Sequence, residues 1–370
     1  MSFYNIDIIG ACENIRKEAE TLAGENYAYH LKRKTGALDF ITSPENGGVD
    51  ASLISYDQGR KIAELKVLYD QRTKPCQIST NCDQSVCDTA STPVRKQFLT
   101  RISNCIKTPV RIYTNDDMVA LCKDTGAFMR DRGFNDLRAA KEVFSERILA
   151  TLDSEIGTNF EWDGTTTAAG QYKDLQLINS SLNEERVPLP GQWAEVLLDY
   201  QNNQLNGTPA VIGQGNLQMF YKLHGMSCCN ASTPYGEADV ASEARFYLDQ
   251  AANTVLGPDK FVLAAYKAVH LLTFNENRNI VGMGTNTAGV YSIVVPDPHG
   301  YPFDWNFDFQ YDICAKAWKS MFSIVWGTFN VFQADSFSAS GEDTSPDTSP
   351  DCSDELDGLT GIFGYHATAA

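Results

Sequence analysis

Polar and apolar side chains alternate strictly between residues 304 and 313, and this stretch constrains the fold more than any other. The apolar set is Trp305, Phe307, Phe309, Tyr311 and Ile313, and the polar set is Asp304, Asn306, Asp308, Gln310 and Asp312. A period of two residues with aromatic side chains on one face is typical of a half-buried strand. The polar face suits contact with water or with a neighbouring subunit.

A second strand is predicted just before this one. Residues 291–295 form a β-branched apolar run, and the sequence Pro-Asp-Pro-His-Gly at 296–300 has the chemistry to reverse the chain. The two strands therefore form a long antiparallel pair with one apolar face. Residues 291–332 are interpreted as scaffold, because carboxylates two apart on one strand face need not converge on a substrate.

The charge of the chain limits the partners that it can bind. Its 370 residues allow a substantial core and two or three lobes, and the net charge is −17. A chain this acidic is not expected to have nucleic acid as its main ligand, because contact with the phosphate backbone requires a basic face. We expect no transmembrane span and no secretory signal, since no apolar run is long enough and the first 20 residues lack a basic leader.

The ten cysteines indicate reduced thiols in a cytosolic setting. Cys76, Cys82, Cys87 and Cys105 fall in one segment, but no two of them stand at the two-residue gap usual in zinc knuckles. Free cysteines commonly behave as small buried apolar residues. The sequence therefore predicts no metal ion and no cofactor.

The first 55 residues are interpreted as an arm that lies on another part of an assembly. They combine a short helical pattern at residues 15–23 with turn-rich, partly basic sequence, and Ser-Pro-Glu-Asn-Gly-Gly at 43–48 breaks any regular element. Lys32, Arg33 and Lys34 are typical of a solvated patch, with nucleic-acid contact as the alternative.

Residues 61–72 alternate between apolar and charged side chains and predict a strand, whose counterpart is predicted at residues 109–114. The polar residues 73–108 between them contain one short predicted helix at 95–99. A connection far longer than the usual 4–6 residues or so is generally functional, so this segment is interpreted as an extended flap. Removal of residues 73–108 is expected to leave a folded chain that cannot assemble.

The main helical block begins at a predicted N-cap, Asn115 or Asp116. Its long helix spans residues 135–156 and is closed by Gly157, because apolar residues recur there at steps of three or four. The stripe consists of Leu137, Ala140, Phe144, Ile148, Leu152 and Ile156. Such a stripe predicts a core-facing helix roughly 30 Å long.

The sequence from residue 164 to 274 predicts a mixture of elements. Residues 164–191 are loop-rich, 191–203 are helical, and 210–212 form a strand that a Gly-Gln-Gly turn joins to a further helical run. This turn lacks the third glycine and the Lys-Ser/Thr of phosphate-binding loops. Residues 237–257 predict another helix ended by Gly257, and residues 260–274 a buried strand that leads into a helix.

The composition changes abruptly after Phe332. Residues 334–358 contain acidic residues, Ser, Thr and Pro but no Lys or Arg, which is typical of a disordered or loosely docked tail. The short apolar motif at residues 359–370 is expected to anchor onto a neighbouring subunit.

The nearest approach to a nucleophilic site is His224 with Cys228 and Cys229, but neither an orienting group nor an oxyanion donor is visible from the spacing. His270 lies in an apolar run and is interpreted as a core histidine; His299 lies in a turn and His366 in the tail. The chain has no nucleophile elbow, zinc-protease motif or calcium loop. We predict no catalytic, cofactor-binding or metal-binding residue and no enzymatic activity.

Taken in order, these elements resemble the major capsid protein of tailed bacteriophages, whose icosahedral shell-protein fold is shared with encapsulins. Residues 304–318 look like the closing segment of many such proteins, with an Asp-Trp strand, Tyr-Asp-x-Cys and a Trp. Residues 193–213, 244–274 and 301–307 are similar in style to the same shells. The acidic tail is an addition that the family pattern does not require.

The resemblance implies an α+β fold with an N-terminal arm, an extended two-stranded loop, a long spine helix, and peripheral and axial domains. The implied divisions are an arm at 1–55, an extended β loop at 56–115, the spine helix and peripheral domain at 116–158, an axial domain at 159–275, the return to the peripheral domain at 276–334, and an acidic C-terminal tail at 335–370.

The resemblance also implies a function. The chain would be the structural subunit of an icosahedral viral capsid around double-stranded DNA, with itself as its main partner in hexamers and pentamers. Portal, scaffold and decoration proteins are further implied partners, and packaged DNA would be contacted loosely and without sequence specificity. The implied location is the virion capsid, assembled in the cytoplasm of the host bacterium, with no membrane contact.

Three alternatives belong to other classes. An encapsulin-type shell shares the fold and would be marked by protein cargo or a shell without DNA. A cytosolic enzyme that uses Cys228 or Cys229 with His224 would lose its activity on Cys229→Ser while the assembly stayed intact. A tail or portal component would form rings rather than icosahedra.

Overall fold

The computed structural model describes residues 8–24, 35–47, 50–57, 62–70, 95–114, 116–117, 120, 124, 128–178, 192–203, 205, 207–214, 244–275, 284–285, 290–312, 314, 317–332 and 359–369. It shows an α+β fold built mainly from antiparallel strands, with helices packed on the sheets.

The helices are α1 (Ile8–Gly24), α2 (Gly36–Ile41), α3 (Phe134–Ser154), α4 (Gln192–Asn202) and α5 (Ala252–Val255). The first strands are β1 (Asp50–Asp57), β2 (Ile62–Asp70), β3 (Arg95–Ile102), β4 (Asn104–Lys107), β5 (Arg111–Tyr113), β6 (Asn159–Phe160), β7 (Thr166–Thr167), β8 (Tyr172–Ile178) and β9 (Ala210–Gly213). The later strands are β10 (Arg245–Leu248), β11 (Lys260–Ala264), β12 (Val269–Phe274), β13 (Gly284–Thr285), β14 (Val290–Pro296), β15 (Asp304–Asp312), β16 (Ala317–Asn330) and β17 (Ile362–Ala369).

The largest sheet is organised around β16. This strand pairs with β15 through residues 317–323 and with β12 through residues 325–330, while β4 and β5 add to it at 323–326 and 318–320. The predicted antiparallel pair is confirmed, because β14 and β15 pair in register from Val290 with Gln310 to Pro296 with Asp304. The aromatic face is also confirmed, with Trp305, Phe307 and Phe309 all buried. The opposite face differs from the expectation at Asn306, which is buried as well.

Helix α3 buries its apolar stripe in the core, as the sequence predicts. All six residues of the predicted stripe are buried, and the helix ends at Ser154, two residues before the predicted end. The Phe144 ring lies 5.5 Å from that of Phe303 and 5.1 Å from that of Trp326, both centroid to centroid. A π-helical turn, Met129–Gly133, leads into the helix. At the start of the preceding block, Thr114 and Asp117 each accept a backbone N–H of the other. The predicted cap residue Asn115 lies outside the described residues.

A second sheet has five strands in the order β10, β9, β11, β17, β8. Strand β17 lies inside this sheet, antiparallel to β11 and parallel to β8. The sequence predicts that residues 359–370 anchor onto a neighbour; in this single chain, Ile362, Phe363 and Tyr365 are buried against their own sheet. The acidic residues 333–358 lie outside the described residues.

A third sheet consists of β1, β2 and β3. Strand β2 confirms the first strand predicted for the flap, with Ala63, Leu65 and Val67 buried. Its predicted partner is wrong: β2 pairs with β1 and β3, whereas β5 joins β16. The reason is that residues 95–102, predicted in part as a helix, form a strand that continues directly into β4. The connection at 73–108 therefore contributes buried Ile102 and Ile106, and its removal would take away core residues rather than a polar flap.

The interpretation of residues 1–55 as an arm that lies on another part of an assembly agrees with the structure only in part. Helix α1 is longer than its predicted pattern, and Ile15, Ala19 and Leu22 are buried in the main core of the same chain. Residues 43–48 break the chain as predicted, but α2 precedes them as a buried helix that the sequence did not indicate. Residues 1–55 are therefore largely part of this chain's own fold where they are described.

Three predictions in the middle of the chain are wrong. Residues 245–248 are strand β10 rather than helix, because they pair in parallel with β9, and only the short helix α5 follows. Residues 260–274 form two strands instead of a strand and a helix, because the chain turns at Lys267, whose φ is 66°. The loop-rich segment also contains a strand, β8. Helix α4 and strand β9 are confirmed.

The segment between β16 and β17 can be shortened without loss of the fold. A Cβ atom added to Gly361 would lie 2.9 Å from Cε2 of Phe332, so the two ends of this segment are adjacent. We expect that replacing residues 335–356 by a short Gly/Ser linker leaves the melting temperature within a few degrees of wild type, because loop-closure entropy changes slowly with length. Removal of residues 359–369 is the contrasting variant and should abolish cooperative unfolding in the same thermal scan. A large loss on shortening would contradict the observed connection.

Candidate functional site

A fully buried group of ionisable side chains joins α3 to the turn between β14 and β15. The group consists of Lys141, Asp297 and His299, each with at most 2% of its surface exposed. Lys141 Nζ lies 2.8 Å and 3.1 Å from the two carboxylate oxygens of Asp297, and it contacts Nδ1 of His299. We refer to these three residues as the buried triad.

Asp297 is the acceptor that organises the turn. Its carboxylate accepts hydrogen bonds from the backbone N–H of His299 at 2.9 Å and from the indole N–H of Trp305 at 2.9 Å. The backbone N–H of Tyr301 lies 3.4 Å from the same carboxylate. The predicted turn is thus confirmed, and its last residue, Gly300, has a φ of 81° that favours glycine. His299 lies in this turn as predicted, and it is buried there.

Burial determines the protonation of the lysine in this group. It lowers the pKa of Lys141 to about 8, although the nearby Asp297 carboxylate opposes the shift. At neutral pH the ammonium group is therefore still charged, and Asp297 supplies its counter-charge. A charge in such an environment is stable only when it is paired and hydrogen-bonded. The geometry supports a structural role for the buried triad, because its members are closed off from solvent and substrate.

No pattern in the sequence predicts that Lys141 and Asp297 form an ion pair. Lys141 sits beside Ala140 within the apolar stripe of α3, and a cation at that place is the one signal that the sequence offers. Its partner lies 156 residues further along the chain, so spacing alone does not identify it.

A second buried network holds α2 in place. Asp249 Oδ2 accepts hydrogen bonds from the backbone N–H of Ala37 at 3.0 Å and from the hydroxyl of Ser145 at 2.6 Å. Ser145 Oγ in turn accepts the backbone N–H of Leu38 at 3.1 Å. Gly36 fits closely here, since an added Cβ would lie 2.6 Å from the Leu248 carbonyl carbon. The start of α2 is thus tied to α3 and to the end of β10.

Tyr301 connects this network to the buried triad. Its hydroxyl donates to Asp39 Oδ1 at 2.7 Å and lies 2.9 Å from the hydroxyl of Thr35. The Lys141 ammonium is 5.5 Å from the centre of the Tyr301 ring. Burial and the charge of Asp39 raise the pKa of Tyr301 well above its usual value, so the phenol stays protonated as a donor.

A third polar cluster lies between β8 and α4. Lys173 Nζ is 2.8 Å from both Glu161 Oε2 and Asp199 Oδ2, and hydrogen bonds to Lys173 lower the pKa of Glu161 although burial opposes this. Tyr365 on β17 donates to Asp199 at 3.3 Å. The cluster holds α4 against the five-stranded sheet.

The residues singled out for nucleophilic chemistry are not brought together within the described residues. His224, Cys228 and Cys229 lie outside them, as do Cys76, Cys82 and Cys87. His270 is buried as predicted, although on strand β12, and its Nδ1 lies 3.3 Å from the Gly47 carbonyl oxygen. Burial lowers its pKa, so the ring is neutral at neutral pH. His366 lies on β17 with Nδ1 2.9 Å from Asp174 Oδ1.

The described part of the chain contains no group of three or more His, Cys, Asp or Glu side chains arranged to hold a metal ion. The side chains of Cys105 and Cys314 are exposed free thiols. None of the helices described is long and apolar enough to cross a membrane.

Exposed apolar side chains mark a candidate assembly surface on the three-stranded sheet. Leu53 and Ile54 on β1 and Leu99 on β3 are 39%, 51% and 65% exposed. Ile112 in β5 and Val110 just before this strand are also more than half exposed. In the described residues neither β1 nor β3 pairs with a strand other than β2, so both outer edges of this sheet lack a partner strand. Leu53 lies on the Leu65 face of the sheet and Leu99 on the opposite, Lys66 face, so the exposed apolar residues belong to the two outer strands and not to one face. We call Leu53, Ile54 and Leu99 of these outer strands the exposed sheet patch.

No protein-family model and no curated protein sequence matches the chain. Among solved structures it is similar to a chain from the capsid asymmetric unit of cyanophage A-1(L), with 12% identity, a TM-score of 0.45, and coverage of 80% of this chain and 90% of that chain. For a chain from Mycobacterium phage Che8 the values are 9%, 0.34, 87% and 93%. For a chain from the capsid of the Myoviridae phage XM1 they are 11%, 0.33, 89% and 92%. All three of these solved structures come from phages.

Substitution of Asp297 tests the buried triad. Asp297→Asn leaves the Lys141 ammonium buried without a counter-charge, so we expect a loss of about 3–5 kcal/mol in the free energy of unfolding at pH 7. The measurement is denaturant unfolding followed by circular dichroism. The control is Arg101→Ala, which removes an ion pair with Glu64 on the surface and should cost less than about 1 kcal/mol. Equal losses for the two variants would contradict the structural role of the triad.

The lowered pKa of Lys141 predicts a rise in stability with pH. Between about pH 8 and the unfolded value of 10.5, the unfolded chain holds a proton on this lysine that the folded chain has lost, so folding becomes more favourable as pH increases. We expect the stability difference between wild type and Lys141→Met to grow in favour of wild type by at most about 1.4 kcal/mol per pH unit. Lys107→Met, at an exposed position, should show no such trend. A flat difference from pH 7.5 to 10 would refute the expectation.

Proposed function

We propose that this chain is the structural subunit of an icosahedral viral capsid that encloses double-stranded DNA, a major capsid protein. The resemblance of the sequence to the major capsid proteins of tailed phages supports the proposal. The observation that carries it in the structure is the exposed sheet patch on a sheet with two unpaired edges. An apolar sheet edge exposed in this way favours association with another chain.

The remainder of the fold suits a shell subunit because it fixes that sheet to a rigid core. Ala63 and Val67 of β2 pack with Ile102 of β3 against Val325 and Phe329 of β16. Helix α3 backs the same β16 through Phe144 and Trp326. The three-stranded sheet is therefore packed, through β16, against the long helix.

We assign the domains of the chain within this proposal. The spine helix and peripheral domain at 116–158 and the return at 276–334 correspond to α3 and to strands β13 to β16 of the largest sheet, whose strands β4, β5 and β12 fall outside these ranges. The axial domain at 159–275 corresponds to most of the five-stranded sheet. The extended loop at 56–115 carries β2 and β3, but the arm at 1–55 supplies β1 to the same sheet.

The partners proposed are other copies of the chain in hexamers and pentamers, with portal, scaffold and decoration proteins as further partners. Packaged DNA would be contacted loosely, since a net charge of −17 disfavours tight binding of a polyanion. The proposed location is the virion capsid, after assembly in the cytoplasm of the host bacterium. The role is structural rather than catalytic, and the closed environment of the buried triad supports this.

Assembly of the purified chain tests the proposal. We expect closed shells or hexamer sheets in negative-stain electron microscopy and a solution mass far above the 40.9 kDa of one chain. Leu99→Asp should abolish these particles, because it places a charge in the exposed sheet patch, while circular dichroism and the melting temperature stay close to wild type.

Gln97→Asp is the matched control, since it adds the same charge two residues away on the same face of β3. We expect this variant to assemble. Wild-type chain that remains a monomer at high concentration would overturn the proposed function. Normal shells from Leu99→Asp would remove the exposed sheet patch from the assembly interface.

A further inference from the structure

Strand β17 occupies an interior position in the five-stranded sheet although it is separated from β16 by a long segment. Its residues 362–366 pair with β11, and residues 364–369 pair with β8. The Tyr365 ring stacks on that of Phe261 at 5.4 Å between centroids, and Gly157 N–H donates to the Ile362 carbonyl at 3.0 Å. Without β17, strands β11 and β8 would each present an unpaired edge to the same slot.

The segment that leads to β17 is far longer than its route requires. Phe332 and Gly361 are adjacent in the structure, yet 26 residues, 333–358, connect the described parts on either side. Twenty-six residues have a maximum reach of roughly 90 Å when fully extended. The connection is therefore long enough to deliver β17 to a neighbouring molecule as well as to its own.

The slot is selective for the β17 sequence. A Cβ atom at residue 364 would lie 2.9 Å from Cδ1 of Ile156 and 2.9 Å from Cδ1 of Tyr172, so a larger residue there would have to displace these side chains. Residue 365 must place a hydroxyl that both accepts and donates a hydrogen bond. The Tyr365 hydroxyl accepts a hydrogen bond from the Asn159 amide and donates one to Asp199, each at 3.3 Å. An arbitrary strand does not meet both conditions, whereas β17 of a second copy meets them fully.

We propose that the slot between β11 and β8 is an interaction site for β17 of a neighbouring copy, so that subunits exchange this strand when they associate. The inference rests on the proposed function in that it requires neighbouring copies. Exchange preserves every contact of the strand while it links two molecules, which is the general reason why identical elements swap at low free-energy cost. The exchanged strand would link subunits at a second place, in addition to the exposed sheet patch.

Disulfide trapping between full-length chains tests the exchange. Lys260 and His366 are direct partners across the antiparallel ladder, and such Cα separations match those of a disulfide. Isotope-labelled Lys260→Cys chain is mixed with unlabelled His366→Cys chain, assembled and oxidised, and disulfide-linked peptides are identified by mass spectrometry. Exchange predicts a bond between labelled and unlabelled chains in up to about half of the Lys260→Cys molecules, since neighbours in the mixture are random.

Three controls make the outcome decisive. The double variant with both cysteines in one chain shows that the bond can form. Lys319→Cys, in the other sheet, replaces Lys260→Cys to measure random pairing, including pairing with the native cysteines. Mixtures in which residues 335–356 are replaced by a short Gly/Ser linker should lose the bond between chains, because the strand then reaches only its own slot.

The possible results separate the two proposals. Assembled particles with bonds only inside the double variant would overturn the exchange and leave the proposed function intact. Chains that do not assemble at all would overturn the proposed function. If either substitution unfolds the protein, Ala264→Cys and Ile362→Cys, also direct partners, give the same readout.

Discussion

The Asp297 carboxylate makes the contacts that fix α3 against the turn between β14 and β15. It neutralises Lys141 of α3, accepts two backbone N–H groups of its own turn and the indole of Trp305, and so fixes β14, β15 and α3 in one arrangement. Tyr301 in the same turn extends the arrangement to α2 through Asp39. A buried ion pair contributes little net stability compared with an apolar core, but its strict geometry excludes other packings of the helix on the sheet.

The polar networks explain how an N-terminal segment becomes part of the core. Helix α2 has only six residues and would be unstable alone, since short helices do not repay the cost of nucleation. Asp249 and Ser145 satisfy two of its first N–H groups, which would otherwise be buried without acceptors. The N-terminal segment is therefore held by two distant parts of the chain, namely α3 and the residue that follows β10.

The elements with local signals were predictable from the sequence, and those specified by distant partners were not. Strict alternation identified β15, and steps of three and four identified α3, because each periodicity reflects burial of one face. Residues 245–248 satisfied a helical pattern equally well, but pairing with β9 decided their structure. The buried triad escaped prediction for the same reason, since Lys141 and Asp297 meet only when the helix lies on the sheet.

Strand β17 depends on distant partners in the same way. Tyr172 pairs with Gly364 across 192 positions, so the five-stranded sheet is completed by a long-range contact. Contacts of this kind form late, because the entropy of closing the loop must be met before they contribute. Before they form, the slot can be filled by β17 of the same chain or, in the exchange proposed above, by β17 of a neighbouring copy. A strand that is identical in every copy, specific for its slot and held on a long connection is therefore well suited to be completed during assembly rather than before it.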